Sequence, residues 1–536
     1  MLILLSTYSF SQTLPVGTPV LEESWRRMQM MGQKDINYSF SIRPIYTGYL
    51  KADDSADNQI DLHGTNKSMM SFAKGKGTAK LLPLRISQQY NSHHPYGWND
   101  GSMIPAKGYQ QQLSFGLYSK FGPLSVQIQP EVVWAQNKAF STFPPYHKDS
   151  IWRSYYNILN RIDNPERYGS GSYAKLFPGQ SSVRLNLRNL SLGVSTENIW
   201  WGPAISNSLI MSNNAPGIGH ITFNTTSPLV TPVGSFEWQI IAGTLKSSGI
   251  LPVDTARTFN GRKLYNPKKE NDRYLNGMII TWQPKWTRGL HLGFSRVFYQ
   301  YKYNIEESLN GYVPVFGAFF KDRSKDENKY GRDQMLSAFF RLIMPEAKAE
   351  MYAEYGRNDH SADLRDFLLE PEHARAYIVG ARKIFTAKKQ IDIELFTEFT
   401  HLQNPETRNV RELEGWYTHY QVRHGYTNRG QVIGAGIGPG GNSQTLGMKW
   451  IKGNKQIDVI GERVVRNNDF YYDAFGPFRN FSSHWVDLSI NLNGSWQFRQ
   501  FIYAANVSRV KSLNYQWIQY NDVKNWHIKL AASYLF

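Results

Sequence analysis

The sequence contains no cysteine, and that absence removes disulfides, thiolate metal sites and cysteine nucleophiles together. It also suits a chain that crosses an oxidising periplasm. No stretch of eighteen or more apolar residues occurs, which excludes a transmembrane helix. Acidic residues are in deficit: 43 Asp and Glu against 60 Lys and Arg give a net charge of +17 and an isoelectric point near 9.5. Such a balance implies an anionic partner, unless it only keeps loops solvated. Metal-site patterns are missing too. There is no HExxH, and the adjacent pair His93-His94 has no metal-ligand spacing and reads as a solvated loop. The run Gly434-Ala-Gly-Ile-Gly438 lacks the strand-turn-helix setting and the phosphate-binding Lys of a nucleotide loop, so it reads as a flexible turn. No cofactor or metal is expected. No Ser and His pair is placed for hydrolysis, and Asp392 with Glu394 fits pairing with Arg382 or Arg463 better than a glycosidase dyad. An enzyme is therefore not expected.

What the chain does have is aromatic content of 14%, with 32 Tyr and 15 Trp, at a mean hydropathy of only -0.48. That combination suits a sheet with one face in lipid and the other in water. The last eleven residues state the pattern most clearly. Trp526, Ile528, Leu530, Ala532, Tyr534 and Phe536 alternate with His527, Lys529, Ala531 and Ser533, placing aromatics at both ends of an apolar band long enough for a tilted membrane strand. This ending resembles the terminal insertion strand of bacterial outer-membrane β-barrels, which implies recognition by the barrel-assembly machinery through Trp526 to Phe536. A chain of 536 residues would ordinarily suggest several domains, and a single large barrel is the exception.

The N-terminus, Met1 to Gln12, has a short apolar core and small residues at Ser9 and Ser11, as in the back half of a secretory signal peptide cut after Ser11. The basic segment that should precede it is missing, so translation is expected to start further upstream. Residues 12–35 are expected to form an N-terminal periplasmic helix. Thr18-Pro19 opens it, Leu21, Trp25 and Met28 share a face, and Gly32 stops it, leaving it on the lower rim or in a plug. From Ile36 the period becomes two, and residues 36–536 are expected to form the barrel. Two tight hairpins stand out. Val183, Leu185 and Leu187 pass to Leu190, Leu192 and Val194 across Arg188-Asn189, and Leu446, Met448 and Trp450 pass to Ile457 and Val459 across Gly453-Asn454. Each crossing slips the phase by one residue, as a two-residue turn requires. Between Trp496 and Val507 the phase changes near Gln500, which reads as a bulge. The count comes to about eighteen antiparallel strands, with a further strand at Leu84 to Gln89 left open. Long connections at 64–110, 138–179, 198–219, 247–274, 304–333, 358–373, 402–443 and 467–482 fall on the outer side, where function is expected.

Two of these connections carry unusual chemistry. One holds Trp200-Trp201-Gly202-Pro203 and Ser212-Asn213-Asn214-Ala215-Pro216. The other holds Trp416, Tyr417, Tyr420, Arg423, His424, Tyr426 and Arg429. Aromatic faces stack on the C–H face of a pyranose, Asn and His offer donors and acceptors to hydroxyls, and Arg pairs with uronic-acid carboxylates. Trp200, Trp201, Asn213, Asn214, Trp416, Tyr417, Tyr420, Arg423, His424, Tyr426 and Arg429 are therefore the candidate polysaccharide-binding set. The bland alternative is that the Trp-Trp block packs loops into a lid and that Trp416 to Tyr420 belongs to an aromatic girdle.

These blocks, with His424-Gly-Tyr-Thr427, Gly430, Gly434, Glu354 and Asn358-Asp359, resemble the Wzi family of capsule-assembly outer-membrane proteins. The resemblance implies an eighteen-stranded barrel blocked by a helical bundle, with a lectin-like role in holding capsular or extracellular polysaccharide at the surface of a Gram-negative cell. An anionic polysaccharide and the membrane's lipid and lipopolysaccharide are then the expected partners of a monomer, and nucleic acid is not. The competing expectation is a porin-like diffusion channel for sugars or anions, the default for a large barrel with a charged lumen.

Overall fold

The computed structural model describes residues 12–47, 70–316, 331–358, 371–387, 391–405 and 413–536. The expected signal segment lies outside them. Among the described residues eighteen antiparallel strands close into one barrel. They are β1 (Gly77–Asn91), β2 (Gly108–Phe121), β3 (Leu124–Ile128 with Glu131–Ala135), β4 (Tyr173–Phe177 with Ser182–Leu187), β5 (Leu190–Ser195) and β6 (Gly219–Thr225 with Leu229–Thr231). Next come β7 (Gly234–Leu245), β8 (Arg273–Pro284), β9 (Leu290–Tyr301), β10 (Arg332–Met344), β11 (Ala349–Asn358) and β12 (Arg375–Ala387). The last third is β13 (Ile391–His401), β14 (Asn442–Lys452), β15 (Lys455–Val465), β16 (Val486–Phe498), β17 (Phe501–Leu513) and β18 (Val523–Tyr534). Closure pairs β18 with β1, with Ile528 opposite Tyr90 and Tyr534 opposite Leu84.

The alternation read from the sequence sets the two faces. Leu185, Val194, Ile221, Leu446, Ile490 and Leu530 face outward and are exposed, while Arg184, Gln239, Glu394, Asp487 and His527 face the lumen and are buried. The exposed apolar band is the lipid face of an outer-membrane barrel. At the end that holds the C-terminus, Phe536 packs on Phe115 and Tyr534, and Tyr534 packs on Phe501. At the opposite end Trp526 lies under Arg509. The terminal end also carries the short turns, which in this class of barrel face the periplasm.

Arg188-Asn189 and Gly453-Asn454 are two-residue turns there, with Leu187 opposite Leu190 and Lys452 opposite Lys455. The phase change near Gln500 is a third such turn and not a bulge. Phe498 pairs with Phe501 across Arg499-Gln500, and Arg499 has φ +54°, as Arg188 has +53° and Gly453 has +54°. These positive φ values let a tight turn follow the twist of its strands. The span 64–110 is also not all loop. Residues 77–91 are β1, obscured in the sequence by Pro83, which donates nothing to the ladder and sits in a register shift between Leu82 and Arg85. Leu82 and Ser87 consequently both point inward.

The N-terminal segment differs from expectation. Residues 36–47 are not barrel wall; they run through the lumen, where Ile42–Arg43 pairs with Trp200–Trp201 and Ile45–Tyr46 pairs with Thr13–Leu14. Helix α1 (Pro19–Met30) lies inside the barrel and not on its rim. Its polar residues are held by wall charges. Arg26 meets Glu350 at 2.8 Å, Glu23 meets Lys449, and Arg341 and Arg382 close on Glu350 at 2.6 and 3.2 Å. Arg382 also pairs with Glu394 at 2.7 Å, as the sequence suggested, whereas Arg463 bonds Gln444 instead. Removing one partner of such a buried group costs about 3–5 kcal/mol.

Cysteines at Arg188, Asn454 or Gln500 are expected to stay silent to an impermeant thiol reagent on intact cells, and one at Tyr520, 87% exposed, to react. Reaction at the first three with silence at the last would invert the barrel.

Candidate functional site

The two signature connections meet inside the lumen. Residues 196–218 turn inward after β5, and Trp201 donates its indole N–H to Gln239 at 2.8 Å. Three successive backbone N–H groups, of Ile205, Ser206 and Asn207, then converge at 2.8–3.0 Å on the carboxylate of Glu398, which also accepts the Tyr352 hydroxyl at 2.8 Å. Gly202 sits at φ +111°, where a Cβ would stand 3.0 Å from the Glu354 carboxylate, so both backbone and space demand glycine.

The second connection, residues 402–441, packs on the first. Tyr417 donates its hydroxyl to the Leu209 carbonyl and accepts from the Ala435 amide, both at 2.9 Å. Ser212 N–H reaches the Ile433 carbonyl at 2.8 Å, and the side-chain amides of Asn214 and Asn428 reach the Val432 and Pro216 carbonyls at 3.0 and 2.9 Å. Gly434 lies where a Cβ would meet the Leu209 carbonyl oxygen at 2.5 Å. The glycine run is thus a buried packing seam and not a flexible turn. Trp201, Leu209, Met211, Trp416, Tyr417, Tyr426 and Ile433 form one apolar cluster with the wall residues Ile241, Val297, Met335 and Ile378. Together with α1 it occupies much of the lumen among the described residues, which favours a plugged barrel over an open diffusion channel.

The candidate set divides accordingly. Trp201 and Trp416 are 0% exposed, and Trp200, Tyr417, His424, Tyr426 and Asn213 are buried as well. Most of their polar atoms serve the plug. The Asn213 amide reaches the Asn99 carbonyl at 3.0 Å, Trp416 donates to the Ala374 carbonyl at 3.2 Å, and His424 shares a 2.9 Å hydrogen bond with Tyr301. Burial and neighbouring cations push the His424 imidazole down to about 3, so it is neutral at physiological pH. Trp416 and Tyr417 are not girdle residues; they lie in the interior. Arg43 covers the Trp200 ring at 5.1 Å. Asn214 and Arg429 are half-buried, Arg429 lying 5.6 Å over Phe177, and Tyr420 is 46% exposed. His93-His94 is not solvated. His94 is buried against Tyr515 and Trp485, and burial lowers its imidazole to about 4.

Arg423 leads to groups that the sequence reading missed. Its guanidinium spans the carbonyls of Asn160 at 3.0 Å and Pro267 at 2.9 Å. Lys268 follows and donates to the Leu159 carbonyl at 2.6 Å. Lys269 stands 5.5 Å from the ring of Tyr303, which is 54% exposed and stacks on Tyr301. Arg161, paired with Glu414 at 3.5 Å, and Tyr265 complete a basic and aromatic group drawn from four outer connections. Burial, with repulsion from Arg423 and Arg273, lowers the Lys268 ammonium to about 8 despite Asp163 nearby. The local signals were Tyr265 near Lys268-Lys269 and the triplet Tyr301-Lys302-Tyr303, but their meeting depends on the fold.

A sequence profile described as "Capsule assembly protein Wzi" matches residues 87–515, most of the chain. The chain belongs to the Wzi family. Wzi of Escherichia coli, described as an outer-membrane protein of group 1 capsule assembly and a carbohydrate-binding β-barrel, is 15% identical with a TM-score of 0.60, over 97% of this chain and 99% of that one. Two Pseudomonas aeruginosa structures are more distant: OpdK with vanillate (9% identity, TM-score 0.40) and OccK7 (8%, 0.38), each over 85% of this chain and 98% of the other. No curated protein matches the chain. Like its family, the protein is an outer-membrane barrel, and the signature blocks of this Wzi family member build the plug. Of the looser signature, Glu354 accepts the Leu209 N–H at 3.5 Å, Asn358 reaches the Gly415 carbonyl at 3.3 Å, and Asp359 lies outside the described residues.

Trp416→Ala removes about 3–5 kcal/mol from the plug. The native barrel is expected to be electrically silent in planar bilayers and this variant to show intermittent openings. Large steady channels from the native protein would contradict the filled lumen.

Proposed function

We propose that this protein holds an acidic capsular or extracellular polysaccharide at the cell surface, on the patch of Arg161, Tyr265, Lys268, Lys269, Tyr303 and Arg423. The plug residues Trp200, Trp201, Trp416, Tyr417 and Tyr426 act as the scaffold beneath it. The observation that carries the reading is that the signature residues are consumed in closing the lumen, so the chemistry offered outward is cationic and aromatic. Lys and Arg attract uronic-acid carboxylates, and the exposed Tyr303 face suits a pyranose. Tyr420, Asn214 and Arg429 extend the surface. Membership of a capsule-assembly family and likeness to a barrel described as carbohydrate-binding support the same view. In this reading the protein is a non-enzymatic monomer. It is seated among lipid and lipopolysaccharide and delivered by the barrel-assembly machinery through Trp526 to Phe536.

Binding of a purified acidic capsular polysaccharide is expected to weaken as salt rises, because exposed charges are screened over about 8 Å at physiological ionic strength. Arg423→Gln and Lys269→Gln are each expected to lower affinity a few-fold and to flatten the salt dependence, while Tyr303→Ala weakens binding at every salt concentration. Because the Lys268 ammonium is lowered to about 8, affinity is also expected to fall as pH rises through 8, and Lys268→Gln to remove that step. Unchanged binding in all four variants, with the barrel assembled, would move the site elsewhere.

A further inference from the structure

Beside α1 the lumen keeps a cavity of about 600 Å³, within the range of pockets that bind small ligands. The barrel register explains it. Four adjacent strands place Ser495, Ala504, Ala531 and Ser87 opposite one another in a single row. These small side chains leave a recess in the wall. The neighbouring row toward the outside is polar: Asn493 opposes Asn506, Asn506 opposes Lys529, and Lys529 opposes Gln89. At the outer end Tyr96 and Trp98, from the connection after β1, turn inward over the recess, and toward the periplasm it reaches Ser533 and Phe536.

Most of the charges around this space are already engaged, and Arg85 is held by the Ser87 hydroxyl and the Gly17 carbonyl, both at 3.2 Å. Lys529 pairs with Asp100, Lys449 with Glu23, Arg43 with Glu22 at 3.2 Å, and Arg382 with Glu394 at 2.7 Å. Side-chain amides, hydroxyls and aromatic faces therefore remain to recognise a ligand. Several buried polar groups of the lining also lack an internal partner: Ser114 Oγ, Trp200 Nε1 and Asp458 Oδ1. An unmatched buried donor or acceptor costs about 1–3 kcal/mol, which a polar guest can recover.

We propose that this cavity is a second, periplasm-facing site for a short neutral oligosaccharide of two or three sugars, distinct from the cationic outer patch. Hydroxyls pair with the Asn493 amide N–H and with the unpartnered Ser114 and Asp458 oxygens, and a sugar ring lies on the half-buried Trp98 face. The site does not depend on the outer patch, and its chemistry is opposite: recognition without net charge, insensitive to salt.

The test uses the full-length barrel in detergent with maltotriose and chitotriose as separate probes, followed by calorimetry. At least one is expected to bind, with equal affinity at low and high salt. Ala504→Leu and Ala531→Leu each extend a side chain into the recess and are expected to reduce binding at least tenfold while heat-modifiability on gels stays native. Asn493→Ala, which removes an amide without adding volume, is expected to weaken it several-fold. Arg423→Gln is expected to leave these probes untouched, so loss of the outer reading and loss of this one are separable. Absence of binding by both probes, or binding that survives both filling variants or follows Arg423, overturns the proposal.

Discussion

The structure depends on carboxylates that the barrel wall and its inner connections turn into the lumen. A large closed sheet leaves an aqueous interior that its own strands cannot fill, and chain placed there must satisfy its backbone groups without water. Glu398 captures three loop amides, and Glu237 takes the Ser39 N–H at 2.7 Å. Glu197 binds Thr13 and pairs with Arg184 at 2.6 Å, and Glu131 takes the Ser102 hydroxyl at 2.7 Å. Glu350 binds α1 through Arg26 at 2.8 Å. Each acid holds a different segment, and Glu398 or Glu237 without its segment would lose the loop amides it binds, whereas Glu350 and Glu197 would keep their wall arginines. Wall and plug are therefore mutually required.

That dependence explains how function is divided. Because the inner ends of the outer connections are committed to the plug, only their outward residues are free to meet a polymer. Inside, Arg26, Arg341, Arg382 and Lys449 are paired with acids, whereas outside Arg423 meets only backbone carbonyls and Lys268 a single one. One barrel thus presents basic and aromatic groups to the exterior and a recess of small and polar side chains below.

Much of the barrel was legible because a two-residue period is local. The faces of β18 and the hairpin at Arg188-Asn189 needed only alternation and turn geometry. The turn at Arg499-Gln500 produced the same one-residue slip, yet a bulge gives that signal too, and only pairing distinguishes them. β1 was only half visible, as the open stretch Leu84 to Gln89, because Pro83 breaks its period. The site was less legible. Trp201, Trp416 and Tyr417 look the same in sequence whether they stack on a sugar or on each other, since either role requires aromatics flanked by Gly and Asn. What decides is Glu398 and Gln239, nearly two hundred and about forty residues from the groups they hold. Lys268, Lys269 and Tyr303 were overlooked because their union with Arg423 spans separate connections.

The most direct test of the wall-and-plug account is native-state hydrogen exchange on the full-length barrel. The amides of 205–212 and 431–437 are predicted to exchange as slowly as those of β14, and in Glu398→Gln the 205–212 amides are predicted to exchange much faster while β14 is unchanged. Exchange of these segments in the native protein at the rate of open loops would contradict it.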